Sequence, residues 1–308
     1  MTAVRVATRA SLLARTQSEG VAAALRERLD REVTLVEVTT AGDLDQRTPL
    51  AELGGVGVFV TAVRDAVLRG DADVAVHSLK DLPTAPAPGL RIAAYPARED
   101  ARDVLVARDG GTLETLPQGA TVGTGSPRRA AQLRSARPDL DVVAVRGNVD
   151  TRLRTVADGV LDAVVLAYAG LARLGRLDAV TEVLEPDQML PAPGQGALAV
   201  ECRDVEPDAA LLAALRDLDD DATRAAVTAE RSLLAALEAG CSAPVGALAT
   251  VTEVDDEVLV HLTGAVVSDD GLTQVRTSVT GPAGDAEAVG RELADHLLAA
   301  GAPGLLVP

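Results

Sequence analysis

A chain of 308 residues with 47% hydrophobic and 24% charged residues is too long for one ordinary core and too apolar to be disordered. Its formal charge of −17 argues against partners that need a basic surface, such as nucleic acid or anionic membrane, and its few aromatics (Phe59, Tyr95, Tyr168) offer no platform for base stacking. No apolar run reaches membrane-spanning length, the first residues lack the apolar core of a secretory signal, and two cysteines make no disulfide framework, so a cytoplasmic home is expected.

In chain order, residues 4–8 read as a strand and 11–29 as a helix, with Ser11 as N-cap and Leu13, Val21, Leu25 and Leu29 on its apolar face. Residues 33–38 read as a second strand. The polar, glycine-rich stretch 41–57 reads as a mobile loop. A helix over about 60–69 closes at Gly70, the apolar run that opens 73–83 reads as a strand, and another follows at 91–95. This β-α-β pattern predicts a parallel sheet. A second set begins at 103–108. Thr121–Ser126 enters Pro127-Arg128-Arg129, where Ser at the cap and Pro at the first helical position mark a helix start. Residues 140–146 read as a strand, Asn148 caps the next helix, 161–167 read as a strand, and a further helix stops at Gly175.

Gly70-x-x-Asp73 followed by Val-Ala-Val resembles Gly159-x-x-Asp162 followed by Ala-Val-Val, a faint internal repeat. It suggests two similar α/β lobes with a cleft between them, joined near 96–102 and 191–196, with residues 197–202 as a strand returning to the first lobe. From about 221 the character changes: a helix over 221–239, strand-like runs near 245–252, 257–267 and 273–280, and a helix over 283–300 predict a small α+β domain.

Two features carry chemistry. The first is the stretch 73–83, an apolar run ending in His77-Ser78-Leu79-Lys80-Asp81-Leu82-Pro83. Lys80 is the only lysine of the chain, which suggests a site where a compact, mobile ammonium is wanted. Asp81 puts a carboxylate near the carboxyl end of a strand, where open α/β sheets bind ligands. The second is a basic island. Residues 121–176 hold nine Arg against five Asp, a local balance of 9 − 5 = +4. Arg128, Arg129, Arg146 and Arg152 fall at helix starts, as Arg9 does in the first lobe, where free N–H groups favour anions. This predicts a ligand with several carboxylates or phosphates. Arg134, Arg137, Arg154 and Arg176 read as surface charges balancing nearby Asp. His77 reads as a hydrogen-bonded core residue. No metal-ligand spacing, G-x-S-x-G, G-x-G-x-x-G or P-loop occurs. Cys241 follows a helix C-terminus beside Glu238, and both raise a thiol pKa, so chemistry alone leaves it open between buried hydrophobe and reactive group.

Taken together, these residues resemble the porphobilinogen deaminase (hydroxymethylbilane synthase) family along the whole chain. The anchors are Ala7-Thr8-Arg9-x-Ser11, Ala75-Val76-His77-Ser78-x-Lys80-Asp81-x-Pro83, Val122-Gly123-Thr124-x-Ser126-x-Arg128-Arg129 and Arg146-Gly147-Asn148-x-x-Thr151-Arg152. Ala169-Gly170-Leu171-x-Arg173-Leu174-Gly175, Pro191-Ala192-x-Gly194-Gln195-Gly196-Ala197 and Leu237-Glu238-x-Gly240-Cys241 complete them. The resemblance implies two α/β lobes like those of periplasmic binding proteins, residues 1–97 with 197–219 and residues 101–191. It adds a small α+β C-terminal domain, residues 221–308, with a three-stranded antiparallel sheet. It also implies a dipyrromethane cofactor held through a thioether to Cys241. Four porphobilinogen molecules would be condensed onto it with loss of ammonia, and water would release linear hydroxymethylbilane. Asp81 matches the catalytic carboxylate. Arg9, Ser11, Lys80, Thr124, Ser126, Arg128, Arg129, Arg146, Arg152 and Arg173 match positions that hold cofactor or substrate carboxylates. A monomer in the cytoplasm is expected, without metal.

Three positions depart from the family pattern: Val56 where many relatives have Lys, Gly125 where Ser is commoner, and Ala239 where Gly is common. A rival reading is a non-enzymatic, two-lobed polycarboxylate-binding protein, which explains the lobes and the arginines but neither the third domain nor Cys241.

Overall fold

The computed structural model describes residues 3–39, 60–205, 208–240 and 243–306. The loop reading at 41–57, the departure at Val56 and the candidate cofactor residue Cys241 lie outside the described residues. The chain divides into two compact units, Met1–Glu99 with Ala197–Arg224, and Asp100–Gly196 with Ala225–Pro308.

The first unit opens with β1 (Val4–Arg9), α1 (Leu12–Arg28), β2 (Val33–Val38), α2 (Thr61–Leu68), β3 (Val74–Ser78) and β4 (Leu90–Ala94). The second opens with β5 (Asp103–Ala107), β6 (Thr121–Thr124), α3 (Pro127–Ala136), β7 (Asp141–Ala144), α4 (Val149–Ala157), β8 (Ala163–Ala167), α5 (Tyr168–Arg173) and β9 (Glu182–Leu184). The chain then supplies β10 (Leu198–Arg203) and α6 (Ala209–Leu218) to the first unit. Next come α7 (Asp221–Ala236), β11 (Val245–Val254), β12 (Glu257–Val267), β13 (Gln274–Pro282) and α8 (Ala286–Ala299).

The sheet of the first unit runs β2-β1-β3-β10-β4, and that of the second β7-β6-β8-β5-β9. Neither is the purely parallel sheet that the β-α-β pattern predicts. β10 lies antiparallel between β3 and β4, and β5 lies antiparallel between β8 and β9. Both inserted strands come from the joins between the units, where the chain direction is set by the crossing rather than by a crossover helix. The two sheets share one topology, and the faint repeat is its signature. Asp73 takes a hydrogen bond from Arg5 N at 2.8 Å, and its own N–H donates to the Arg5 carbonyl at 2.8 Å. Asp162 does the same with Thr121, at 2.8 and 3.0 Å. In each unit the Gly-x-x-Asp turn ties the start of β3 or β8 to the start of β1 or β6, and Gly70 and Gly159 supply the left-handed φ of 77° and 72° that the turn requires.

Each sheet is covered on both faces. In the first unit, Val4, Val6, Val74, Val76 and Val200 pack with Val21 and Leu25 of α1 and Leu211 and Leu215 of α6. On the other face, Ala7 and Ala75 pack with Val63, Ala66 and Val67 of α2. In the second unit, Leu133 of α3 packs on one face with Leu105 and Val165. Leu153 and Val156 of α4 and Leu171 of α5 pack on the other with Val104 and Val164. The antiparallel β11-β12-β13 sheet has its own core, with Leu233 of α7 and Leu293 and Leu297 of α8 against Val260 and Leu262.

Candidate active site

In the first unit, β1 and β3 are adjacent and parallel, so their carboxyl ends meet at one sheet edge. β1 delivers Arg9 and the α1 cap, where Ser11 Oγ accepts from Ala14 N at 3.4 Å. β3 delivers Ser78 and a single 3-10 turn, Leu79–Asp81. The turn is pinned from below: Leu79 and Leu82 are fully buried, Leu79 N donates to the Ala197 carbonyl at 3.0 Å, and Leu82 N to the Leu79 carbonyl at 3.0 Å. Ser78 and Gln17 of α1 exchange hydrogen bonds at 3.0 and 3.2 Å. Lys80 is half-buried and Asp81 is exposed at the tip.

His77, on β3 four residues before Asp81, is buried as expected for a core residue, and its neighbour Glu201 is charged. Its Nε2 lies 3.2 Å from Glu201 Oε2. Glu201, on β10, also takes a fork from Arg64 of α2, Nε to Oε2 at 2.8 Å and Nη2 to Oε1 at 2.7 Å. Burial would raise the Glu201 carboxyl, but His77 and Arg64 outweigh it and hold it at about 2.

In the second unit, β6, β7 and β8 are parallel, and their carboxyl ends carry the predicted set. Ser126 caps α3, Thr124 Oγ1 accepts from Ser126 N at 3.2 Å, and Asn148 caps α4 by accepting from Thr151 N at 2.9 Å. Arg152 is partly buried and its Nε donates to the Gly147 carbonyl at 3.0 Å. Burial, then the charges of Arg129 and Arg146, push its pKa down, so three of the predicted arginines form one cationic corner. Arg173, after β8, donates from Nη2 to the Gly196 carbonyl at 2.7 Å.

Arg128 and Arg129 differ from the simple picture of helix-start cations facing a ligand. They are 3% and 5% exposed, and both grip Asp103, which is fully buried. Arg128 Nη2 meets Asp103 Oδ2 at 2.8 Å and Arg129 Nη2 meets Oδ1 at 2.7 Å. Gln195 donates to the same Oδ1 at 2.8 Å and to the Ala101 carbonyl at 2.7 Å. Burial would raise the Asp103 carboxyl, but the two guanidiniums hold it at about 2. Arg128 Nε is buried with no hydrogen-bond partner among the described residues.

Asp103, Glu201 and Arg64 are members that sequence reasoning missed, and Gln195 was marked only as part of an anchor, with no role. The available signal was a lone acid inside an apolar strand, Asp103 at the head of Val-Leu-Val-Ala and Glu201 after Leu-Ala-Val, where an unpaired charge is not tolerated. Two departures also find reasons. A Cβ on Gly125 would lie 2.8 Å from the Val145 carbonyl, so Ser does not fit this backbone. The left-handed residue closing α7 is Glu238, with φ of 51°, and Ala239 is not among the positive-φ residues, so Ala costs no strain there.

Residues 4–211 match the model of the family described as "Porphobilinogen deaminase, dipyromethane cofactor binding domain", and residues 224–299 match "Porphobilinogen deaminase, C-terminal domain". Porphobilinogen deaminase 1 of Streptomyces coelicolor is 58% identical over 313 residues, covering 99% of this chain and 97% of its own. Porphobilinogen deaminase of Nocardia farcinica is 56% identical over 311 residues, covering 99% and 88%. Among solved structures, the VFT2 domain of Bordetella pertussis BvgS aligns with a TM-score of 0.42 and 21% identity, covering 70% of this chain and 86% of that one.

Proposed function

The chain belongs to the porphobilinogen deaminase family, and from that premise we propose that Asp81 and Cys241 carry its reaction. The activity is that of hydroxymethylbilane synthase, a transferase of tetrapyrrole biosynthesis. It condenses four porphobilinogen molecules, with release of ammonia, and hydrolyses off linear hydroxymethylbilane. The observation that carries this reading is the match of both family domains in order along the chain. A binding protein without activity is not favoured.

The cationic corner of Arg129, Arg146 and Arg152, with the orphaned Arg128 Nε, is chemistry suited to a group rich in acetate and propionate. We assign Arg9, Ser11, Lys80, Thr124, Ser126, Arg128, Arg129, Arg146, Arg152 and Arg173 to holding those carboxylates, and Cys241 to the thioether. When bound, dipyrromethane would supply the free pyrrole carbon that receives the first unit, and each later unit would join the terminal ring of the growing chain. Asp81 does the chemistry from the protein side. Loss of ammonia from porphobilinogen leaves a cationic methylene-pyrrole. A fixed carboxylate near the pyrrole N–H stabilises that charge and takes up or returns the proton. Its exposed place on a pinned turn favours this role.

Three further readings go with the assignment. The chain works as a monomer in the cytoplasm on a free small molecule and not on nucleic acid, in keeping with its charge of −17. It has three domains, 1–97 with 197–219, 101–191 and 221–308, a division supported by the separate core of the β11-β12-β13 sheet. The modification and the reaction are tested together by intact mass. Wild-type protein should carry a dipyrromethane adduct and gain a ladder of equal increments with porphobilinogen, and Cys241→Ser should carry none. An unchanged adduct on Cys241→Ser would refute the attachment site.

A further inference from the structure

The cluster of Arg64, Glu201 and His77 has no place in the chemistry above, yet His77 stands on β3 two residues before the turn that bears Asp81. Glu201 is 2% exposed and His77 7%. The surroundings are apolar, with Ala7 and Ala75 of the sheet against Val63 and Ala66 of α2. Hydrophobic side chains in the same volume would stabilise the unit as well as a desolvated ion cluster does. The Arg64 fork occupies both carboxylate oxygens, and His77 acts with it in holding the Glu201 carboxyl down. What His77 adds to the backbone pairing is a side-chain approach between the end of β3 and its neighbour β10. Its Nε2 is 3.2 Å from Glu201 Oε2, an ion-pair distance without hydrogen-bond geometry, and the backbone just beyond it is held to β10 by Leu79 N on the Ala197 carbonyl at 3.0 Å.

We propose that Glu201, through His77, is a positioning residue for Asp81. Arg64 keeps Glu201 ionised and oriented from α2. Glu201 fixes the His77 ring, and the His77 backbone sets where the Leu79–Asp81 turn leaves the sheet. Asp81 is exposed on a single turn, so its carboxylate is only as well placed as that exit. A misplacement of about 1 Å costs on the order of 100-fold in rate.

This inference rests on Asp81 as the reacting carboxylate, and the test separates the two. Glu201→Gln, His77→Gln and Asp81→Ala are compared singly and as double variants for thermal midpoint, dipyrromethane adduct by intact mass, and kcat and KM for porphobilinogen. Both Gln variants should keep the adduct and lower kcat by about 10-fold or more with KM within about threefold. Each, combined with Asp81→Ala, should be no slower than Asp81→Ala alone, because both act through the same group. His77→Gln leaves the Arg64–Glu201 fork intact and carries the test should Glu201→Gln fail to fold. A wild-type kcat in His77→Gln beside an inactive Asp81→Ala, or losses that multiply in the double variants, overturns the positioning role alone. Near-normal turnover by Asp81→Ala removes the role of Asp81 itself and this inference with it.

Discussion

Asp103 and Glu201 are carboxylates held at about 2 inside the protein, against roughly 3.9 and 4.3 in an unfolded chain. A depressed folded-state pKa contributes stability above the unfolded value and loses it as pH falls through the folded value. The window is therefore about pH 4 down to 2, and the size about 3 kcal/mol for each group. Urea unfolding between pH 6 and 2 should show a steep acid limb, and Asp103→Asn should flatten it. At neutral pH the same variant should lose about 3–5 kcal/mol, because Arg128 and Arg129 keep their burial and lose their counter-charge. An acid limb unchanged by Asp103→Asn would show that the pair does not titrate in this way. At this scale the sequence is only half legible. It marks Arg128 and Arg129 as helix-start cations, because Ser126 and Pro127 are local signals. It does not reveal that Asp103 takes both guanidiniums, since the Arg129 pair spans 26 residues and both depend on β5 entering the sheet beside β8.

Helix starts were readable because a cap is a contact within three residues: Ser11, Ser126 and Asn148 all cap as their sequence context implies. The inserted strands were not readable as antiparallel, since strand direction is decided by the neighbour and not by composition. α6 passed unnoticed although Pro207-Asp208 marks a helix start and Asp208 caps it on two backbone N–H groups. Gly290 shows what an element can hide. Inside α8 it costs about 1 kcal/mol of helix propensity relative to Ala. A Cβ there would lie 2.4 Å from the Ala229 carbonyl and 2.6 Å from Ser232 Cβ, so its absence lets α8 lie backbone-close against α7. Gly290→Ala should therefore destabilise the C-terminal core by about 1–3 kcal/mol or more, read as a lower thermal midpoint. A rise in midpoint, as propensity alone predicts, would show that the close approach is not needed.

Across the whole molecule, charge and topology pull apart. The chain is strongly acidic, yet the carboxyl strand ends in its second unit bring Arg129, Arg146 and Arg152 near one another, so positive charge there is local to a few helix starts and not a property of the surface at large. The topology has a consequence in time. β10 sits between β3 and β4 and is the strand that joins them. A ribosome at about 5–20 residues per second reaches it roughly 5–20 s after finishing β4. For that interval β3 and β4 have emerged with no central partner, while β5 through β9 form a sheet from one continuous stretch. Nascent chains stalled before β10 emerges should protect residues 103–184 from protease and leave 1–94 sensitive; equal protection of both would refute this order. The second lobe is then synthesised as a self-sufficient insert. The lobe that carries Asp81 is born first and completed last.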